Sequence, residues 1–299
     1  MKSSLEPGLH KRIIQHQGRE RRYHLYLPTT GQPPYPLVLA FHGAGATGKI
    51  MLLHSRWLYQ AEKSGFVVVA PEGTPPNREE KPSFRLNPQL WNLDTTFTAA
   101  PTGYADDVGF VKAILKQLPS LVDFAADQVY ATGFSNGAGL TFRLAAEAGN
   151  LFAAISPVAA LPYLKSGSPP RPIPAYYLIG SEDPLVPWEG GQIVSPWTGD
   201  TTTRPPVLKS LQQWAELSHF TPVLETLHHD DAYEDMKLGV ADSSQFIYSR
   251  LFGLGHHWPG GRDVGVPEEV LGKRIKTFDA TERIWNFFEK YKLPGKTVQ

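Results

Sequence analysis

Residues 133–137 read Gly133-Phe134-Ser135-Asn136-Gly137. A serine hydroxyl is a poor nucleophile unless the backbone presents it to a base. A sharp strand-to-helix turn does so when small residues flank the serine, and it sets a helix N-terminus beneath the charge that develops in the reaction. The preceding run, residues 128–132, is rich in apolar residues and reads as the strand. The residues that follow, to about 148, read as the helix. Glycine and serine are common, so the five-residue pattern gains meaning only from its company.

That company is an acid and a base, each placed just beyond a strand. The predicted strand at 175–179 runs into Gly180-Ser181-Glu182-Asp183-Pro184, and the strand ending near Leu251 runs into Gly253-Leu254-Gly255-His256-His257-Trp258. The order serine, acid, histidine is the order of nucleophile, orienting acid and general base in hydrolases built on such a sheet. Asp183 is therefore expected to orient an imidazole, and His256 to take the Ser135 proton and return it to the leaving group. Glu182, Asp230 and Asp231 are the fallback acids, and His257 is the neighbour able to exchange roles with His256. An oxyanion hole is also required. Phe41-His42-Gly43-Ala44-Gly45 follows the third predicted strand, which points to the amides of Ala44 and Asn136 as the two donors, with Gly43 as the alternative to Ala44. Such a donor is typically worth about 3 kcal/mol at the transition state.

The elements that must hold these residues follow from apolar patterning. Strands are expected at 12–17 and 21–27 around Gly18, and at 36–41, 66–70, 151–158, 175–179 and 245–251. Helices are expected at 50–63, 106–118, 207–217 and 281–291. The short continuous apolar runs at 36–41 and 66–70 suit strands covered on both faces. Strands alternating with helices predict an α/β fold, a mostly parallel central sheet with helices on both faces. A single domain spanning 1–299 is expected, with the proline-rich, aperiodic segment 71–103 as a lid or rim over the site.

Composition narrows the function classes. The 299 residues are 41% hydrophobic and 19% charged with a formal net charge of zero, which suits a globular chain with a sizeable core and gives no basic patch for nucleic acid. No apolar run approaches the ~18 residues of a membrane span. With no cysteine, disulfide and thiolate chemistry are excluded. Residues 1–18 are polar without an apolar signal core, so the expectation is a cytoplasmic protein or a secreted one whose leader has been removed. The His228-His229-Asp230-Asp231 cluster lacks a second ligand pair and reads as a solvated turn, so no metal is expected.

Taken together the motifs resemble the family of α/β-hydrolases that includes polyhydroxybutyrate depolymerases and feruloyl esterases. The matching segments are Phe41-His42-Gly43, Asp106-Asp107-Val108-Gly109-Phe110, Thr132 to Ala138, Asp183-Pro184-Leu185-Val186-Pro187-Trp188-Glu189-Gly190-Gly191 and Gly255-His256-His257-Trp258-Pro259-Gly260-Gly261. The segments run from Phe41 to Gly261, and the resemblance extends over about residues 11–291. The resemblance implies an α/β-hydrolase fold, Ser135, Asp183 and His256 as a catalytic triad, and His256 over His257 as the base. It also implies a carboxylic ester hydrolase that forms an acyl-enzyme and needs no metal or organic cofactor. The implied substrates are hydroxyalkanoate oligomers, feruloyl esters or short-chain esters. Rival readings are a serine peptidase of the same fold and a non-catalytic binding protein. Trp91, Trp188 and Trp258 are expected at the cleft, packing on substrate. Trp57, Trp197, Trp214 and Trp285 are read as core packing, and Asp106 and Asp107 as a helix start with buried acceptors.

Overall fold

The computed structural model describes residues 5–77, 79–93, 105–162, 167–196, 199–263 and 265–294. Trp197 and residues 78 and 94–103 of the expected rim lie outside the described residues. In chain order the elements are β1 (Gly8–His16), β2 (Arg19–Leu27), β3 (Tyr35–Phe41), α1 (Gly48–His54), α2 (Trp57–Ser64), β4 (Val67–Pro71), α3 (Asp107–Gln117), β5 (Phe124–Phe134) and α4 (Asn136–Ala148). They continue with β6 (Ala154–Val158), β7 (Ala175–Gly180), β8 (Gly191–Val194), β9 (Thr201–Arg204), α5 (Val207–Leu217), β10 (Thr221–His229), β11 (Tyr233–Ala241), β12 (Ser244–Leu251), α6 (Glu268–Leu271) and α7 (Ala280–Phe288).

Ten strands form one sheet in the order β1-β2-β4-β3-β5-β6-β7-β12-β11-β10. Neighbours from β4 through β12 pair in parallel, and antiparallel strands close both ends. The centre is apolar on both faces because successive side chains alternate. Leu37, Leu39 and Phe41 of β3 join the core under α3, α4 and α5, while Val38 and Ala40 join the core under α1, α2 and α7. This is the mostly parallel α/β sheet expected from the alternating strands and helices, and it agrees with the α/β-hydrolase fold that the resemblance implies. No helix among the described residues is long and apolar enough to cross a membrane.

Two expectations are corrected. The single helix at 50–63 is two helices. The Ser55 hydroxyl donates to the Met51 carbonyl at 2.6 Å, and Arg56 adopts a left-handed φ of 64°, which breaks the helical ladder. The strands β10 and β11 were not legible because they form an exposed edge hairpin without a clean apolar alternation. At α3 the expectation stands. Asp106 caps the helix by accepting from the Gly109 amide at 2.8 Å, and the buried Asp107 pairs with Arg21 at 2.8 Å and accepts from the Asn92 amide at 2.7 Å.

Candidate active site

The parallel strands β3, β5, β7 and β12 all end at one edge of the sheet, so the loops after them meet there. Such edges are where ligands sit in open α/β sheets. Ser135 follows β5 directly, with φ 52° and ψ −119°. This sparsely populated conformation costs an L-residue about 1–3 kcal/mol and turns the hydroxyl out of the turn. Both flanking glycines are required by close approach. A Cβ on Gly133 would lie 2.2 Å from the Gly137 carbonyl oxygen, and one on Gly137 would lie 2.3 Å from the Phe41 oxygen. The start of α4 is thus pressed onto the end of β3, which brings the loop after His42 beside the serine. A Cβ on Gly43 would stand 3.4 Å from the Ser135 Cβ.

Asp183 and His256 reach the same point from β7 and β12. Their loops are tied together by main-chain bonds from Ser181 to Leu251 at 2.8 Å and from Glu182 to Leu254 at 3.0 Å. The His256 Nδ1 lies 2.7 Å from Asp183 Oδ2, and its Nε2 lies 2.8 Å from Ser135 Oγ. An ionised carboxylate only accepts, so Nδ1 carries the proton of the neutral ring, and Nε2 accepts from the serine hydroxyl. Asp183 Oδ1 accepts from the amides of Leu185 and Val186, both at 2.8 Å. Asp183 is 2% and His256 4% exposed, so the pair works out of water. The alternative groups lie elsewhere. His257 donates through Nε2 to the Gly272 carbonyl at 2.9 Å, and burial lowers its pKa. Glu182 is exposed, and Asp230 caps the β10–β11 turn by accepting from the Ala232 and Tyr233 amides.

The loop after β3 is set by His42, which is fully buried. The Gly73 amide donates to its Nε2 at 2.9 Å, so the proton of the neutral ring sits on Nδ1 and is donated to the Gly43 carbonyl at 2.7 Å. Burial lowers the pKa of this ring and keeps it neutral. In a trans peptide the carbonyl and the next N–H point in opposite directions, so holding the Gly43 oxygen toward His42 turns the Ala44 N–H the other way. Neither the Ala44 amide nor the Asn136 amide, the first of α4, has an acceptor among the described residues.

A cavity of about 380 Å³ opens over Ser135 and His256. Gly43 and Ala44 line it, as do Ile50, Leu53, Phe84, Phe134, Leu185 and Leu271, with His54, Arg262 and Asp263 as further polar groups. Phe84 belongs to the expected rim, whose described part folds back through a bridge between Thr74 and Leu90. Sequence reasoning named Gly43 and Ala44 but missed Ile50, Leu53, His54, Phe84, Arg262, Asp263 and Leu271 as wall residues. Phe134, inside the serine motif, and Leu185, in the segment after Asp183, lay within motifs read from the sequence.

The three tryptophans expected at the cleft do not line this cavity. Trp91 is fully buried and bridges the two loops behind the serine. Its Nε1 donates to the His42 carbonyl at 2.8 Å, and its amide donates to Asn136 Oδ1 at 2.7 Å. Trp258 is 2% exposed, stands edge-on to Trp57 and donates to Thr281 Oγ1 at 2.9 Å. Trp188 is covered by Arg250, whose guanidinium lies 4.5 Å from the indole centre, and by Tyr248. In each case nearness in sequence to a catalytic candidate did not decide the side-chain direction, because packing behind the loop took the large apolar ring.

Comparisons with known proteins agree with this architecture. Residues 21–166 match the family model described as Esterase PHB depolymerase. The chain is 28% identical over 269 residues to the putative esterase NocK of Nocardia uniformis subsp. tsuyamanensis, covering 82% of this chain and 72% of that protein. It is 25% identical over 173 residues to the bifunctional acetylxylan esterase/xylanase XynS20E of Neocallimastix patriciarum, covering 58% of this chain and 23% of that protein. It is 29% identical over 162 residues to feruloyl esterase B of Piromyces equi, covering 51% of this chain and 29% of that protein. The aligned region is thus less than a third of the length of either of these two relatives. Among solved structures, an acetyl xylan esterase from Aspergillus awamori superposes with a TM-score of 0.59 at 16% identity, over 94% of this chain and 99% of that one, and shares the fold. Residues 21–166, which hold the loop after β3 and the serine turn, belong to the esterase family of the polyhydroxybutyrate depolymerases, within an α/β-hydrolase fold.

Proposed function

We propose that this chain is a carboxylic ester hydrolase that works through an acyl-enzyme on Ser135. The observation that carries the reading is the unbroken hydrogen-bond chain from Asp183 Oδ2 through His256 to Ser135 Oγ, at 2.7 and 2.8 Å. As Oγ attacks the ester carbonyl, its proton passes to His256 Nε2. The imidazolium that forms is held by Asp183, and the carbonyl oxygen gains a negative charge. The amides of Ala44 and Asn136, without an acceptor among the described residues, receive that charge. The tetrahedral adduct collapses, the carbon–oxygen bond to the alcohol breaks, and Nε2 gives its proton to the departing alkoxide. Water then enters, loses a proton to Nε2 and attacks the acyl-serine, which releases the acid and restores the serine hydroxyl.

The substrate class is read from the cavity and the relatives. An apolar pocket of about 380 Å³ suits a small ester or a short oligomer. The family and the named relatives support hydroxyalkanoate oligomers or feruloyl and short-chain esters. We read residues 1–299 as one catalytic domain, with the described part of 71–103 as the rim. The test is a panel of p-nitrophenyl acyl esters, methyl ferulate and 3-hydroxybutyrate oligomers, with Ser135→Ala beside the wild type. Cleavage of one class that disappears in the variant supports the reading and names the class. Silence across the panel rejects it.

A further inference from the structure

His54 is a polar side chain in the cavity wall that the hydrolytic steps above leave unused. It is the last residue of α1, is 8% exposed and lines the cavity together with Leu53 and Phe84, with the Nε2 edge of its ring beside Gly261. The ring centre lies 6.0 Å from that of Phe134, edge to face, and Phe134 lies 5.0 Å from the His256 ring. One aromatic ring therefore separates His54 from the proposed base. Its backbone carbonyl is taken by the Arg262 amide at 2.8 Å, but neither ring nitrogen has a hydrogen-bond partner among the described residues. The ring nitrogens are not sealed from solvent, so water in the cavity can serve them, and a group that displaces this water must pair with the imidazole or leave it unpaired. Burial first, and then the nearby His257 and Arg274, push its pKa down to about 4. At neutral pH the ring is uncharged and offers one donor and one acceptor to whatever fills the cavity.

Building on the esterase reading, we propose that His54 determines specificity by hydrogen-bonding a hydroxyl group carried by the ester near its scissile bond. When the cavity closes over a plain fatty ester, water leaves and the imidazole stays unpaired. An ester of the same length with a hydroxyl in reach replaces the lost water. Sites built this way discriminate through the cost of the group left unpaired. The hydroxyl can sit on the acyl or on the alcohol side of the ester, and both arms are tested.

The experiment measures kcat/KM of the full chain for ethyl butyrate, for each enantiomer of ethyl 3-hydroxybutyrate and for 2-hydroxyethyl butyrate. Wild type is expected to prefer one hydroxylated ester over ethyl butyrate by about five- to tenfold, and the arm that shows the preference identifies the side. In His54→Phe the ratio should fall to about one, and His54→Gln, which keeps a donor and an acceptor, should restore part of it. The ratio within each variant is insensitive to partial misfolding, and melting curves check the fold. Three outcomes overturn the assignment while leaving the esterase reading in place: a wild type that cleaves ethyl butyrate but prefers neither hydroxylated ester, a preference that survives in His54→Phe, or a His54→Gln variant that behaves as His54→Phe. A wild type that cleaves none of these esters counts against the esterase reading itself and removes the basis for the assignment.

Discussion

Replacing Asp183 by asparagine tests the proposed proton path without removing a side chain, and the geometry states which way the new amide must turn. Oδ1 accepts from two main-chain amides, Leu185 and Val186, each at 2.8 Å, whereas among the described residues Oδ2 bonds only to His256 Nδ1, at 2.7 Å. An NH2 group cannot accept from two N–H donors, so the asparagine carbonyl takes the Oδ1 place and its NH2 takes the Oδ2 place. The NH2 then donates to His256 Nδ1, which must give up its proton. The neutral ring carries that proton on Nε2 instead, and an Nε2–H cannot accept from Ser135. In a triad of this geometry the wrong tautomer lowers kcat by about 10⁴-fold, or roughly 5 kcal/mol. The two main-chain bonds survive, so the fold should lose only about 1–2 kcal/mol from the missing charge-assisted bond. Asp183→Ala differs. It leaves both amides unpaired in a buried site and should also lower the melting temperature. The assay is initial rates on p-nitrophenyl butyrate beside thermal melts for wild type, Asp183→Asn and Asp183→Ala. An Asp183→Asn enzyme within tenfold of wild type would refute the tautomer reasoning and remove Asp183 from the proton path.

Three further outcomes follow from the structure. Gly137→Ala drives a Cβ into the Phe41 and His42 backbone oxygens at 2.3 and 2.6 Å, whereas Gly139→Ala on the same helix meets only the flexible Leu93 side chain at 2.7 Å. The first should cost about 3 kcal/mol and about 10²-fold in rate and the second far less, as read by melts and kcat/KM. Trp258→Ala, outside the cavity lining and buried against Trp57, should destabilise by about 3–5 kcal/mol and leave the ranking of an ester panel unchanged; a changed ranking would return Trp258 to the cleft. Stability should also fall as the pH drops from 7 toward 4. His42, His54 and His257 have folded pKa values lowered by burial, so below the unfolded value near 6.5 the unfolded chain binds more protons than the native one. For His54, with its pKa near 4, the loss grows to about 3 kcal/mol over that window. His54→Phe should flatten the slope of melting temperature against pH in that range, and an unchanged slope would contradict the linkage.

The parts of this molecule that could be read from sequence are those where local chemistry and position agree. The serine turn was legible because Gly133 and Gly137 are demanded by backbone contacts, and the central strands because a sheet buried on both faces needs unbroken apolar runs. Asp183 and His256 were legible from their order beyond strand ends, and the structure brings them together with Ser135. The cavity wall was not legible. His54 ends a helix that periodicity runs straight through, and the break at Ser55 and Arg56 depends on a left-handed residue that no pattern marks. Trp91 and Trp258 misled because a large ring near a catalytic candidate in sequence can as easily pack behind the loop as in front of it. The edge hairpin of β10 and β11 escaped because an exposed edge needs no apolar stripe.

The central claim is that Ser135 is the nucleophile, and covalent labelling tests it most directly. The full chain would be treated with a fluorophosphonate while residual ester hydrolysis is followed, and the adduct would be located by peptide mass spectrometry. The account predicts one adduct per chain, on Ser135, accumulating in step with the loss of activity, and no labelling of Ser135→Ala, whose melt stays native. An adduct on another residue, or an enzyme that stays active once Ser135 is fully modified, would contradict it.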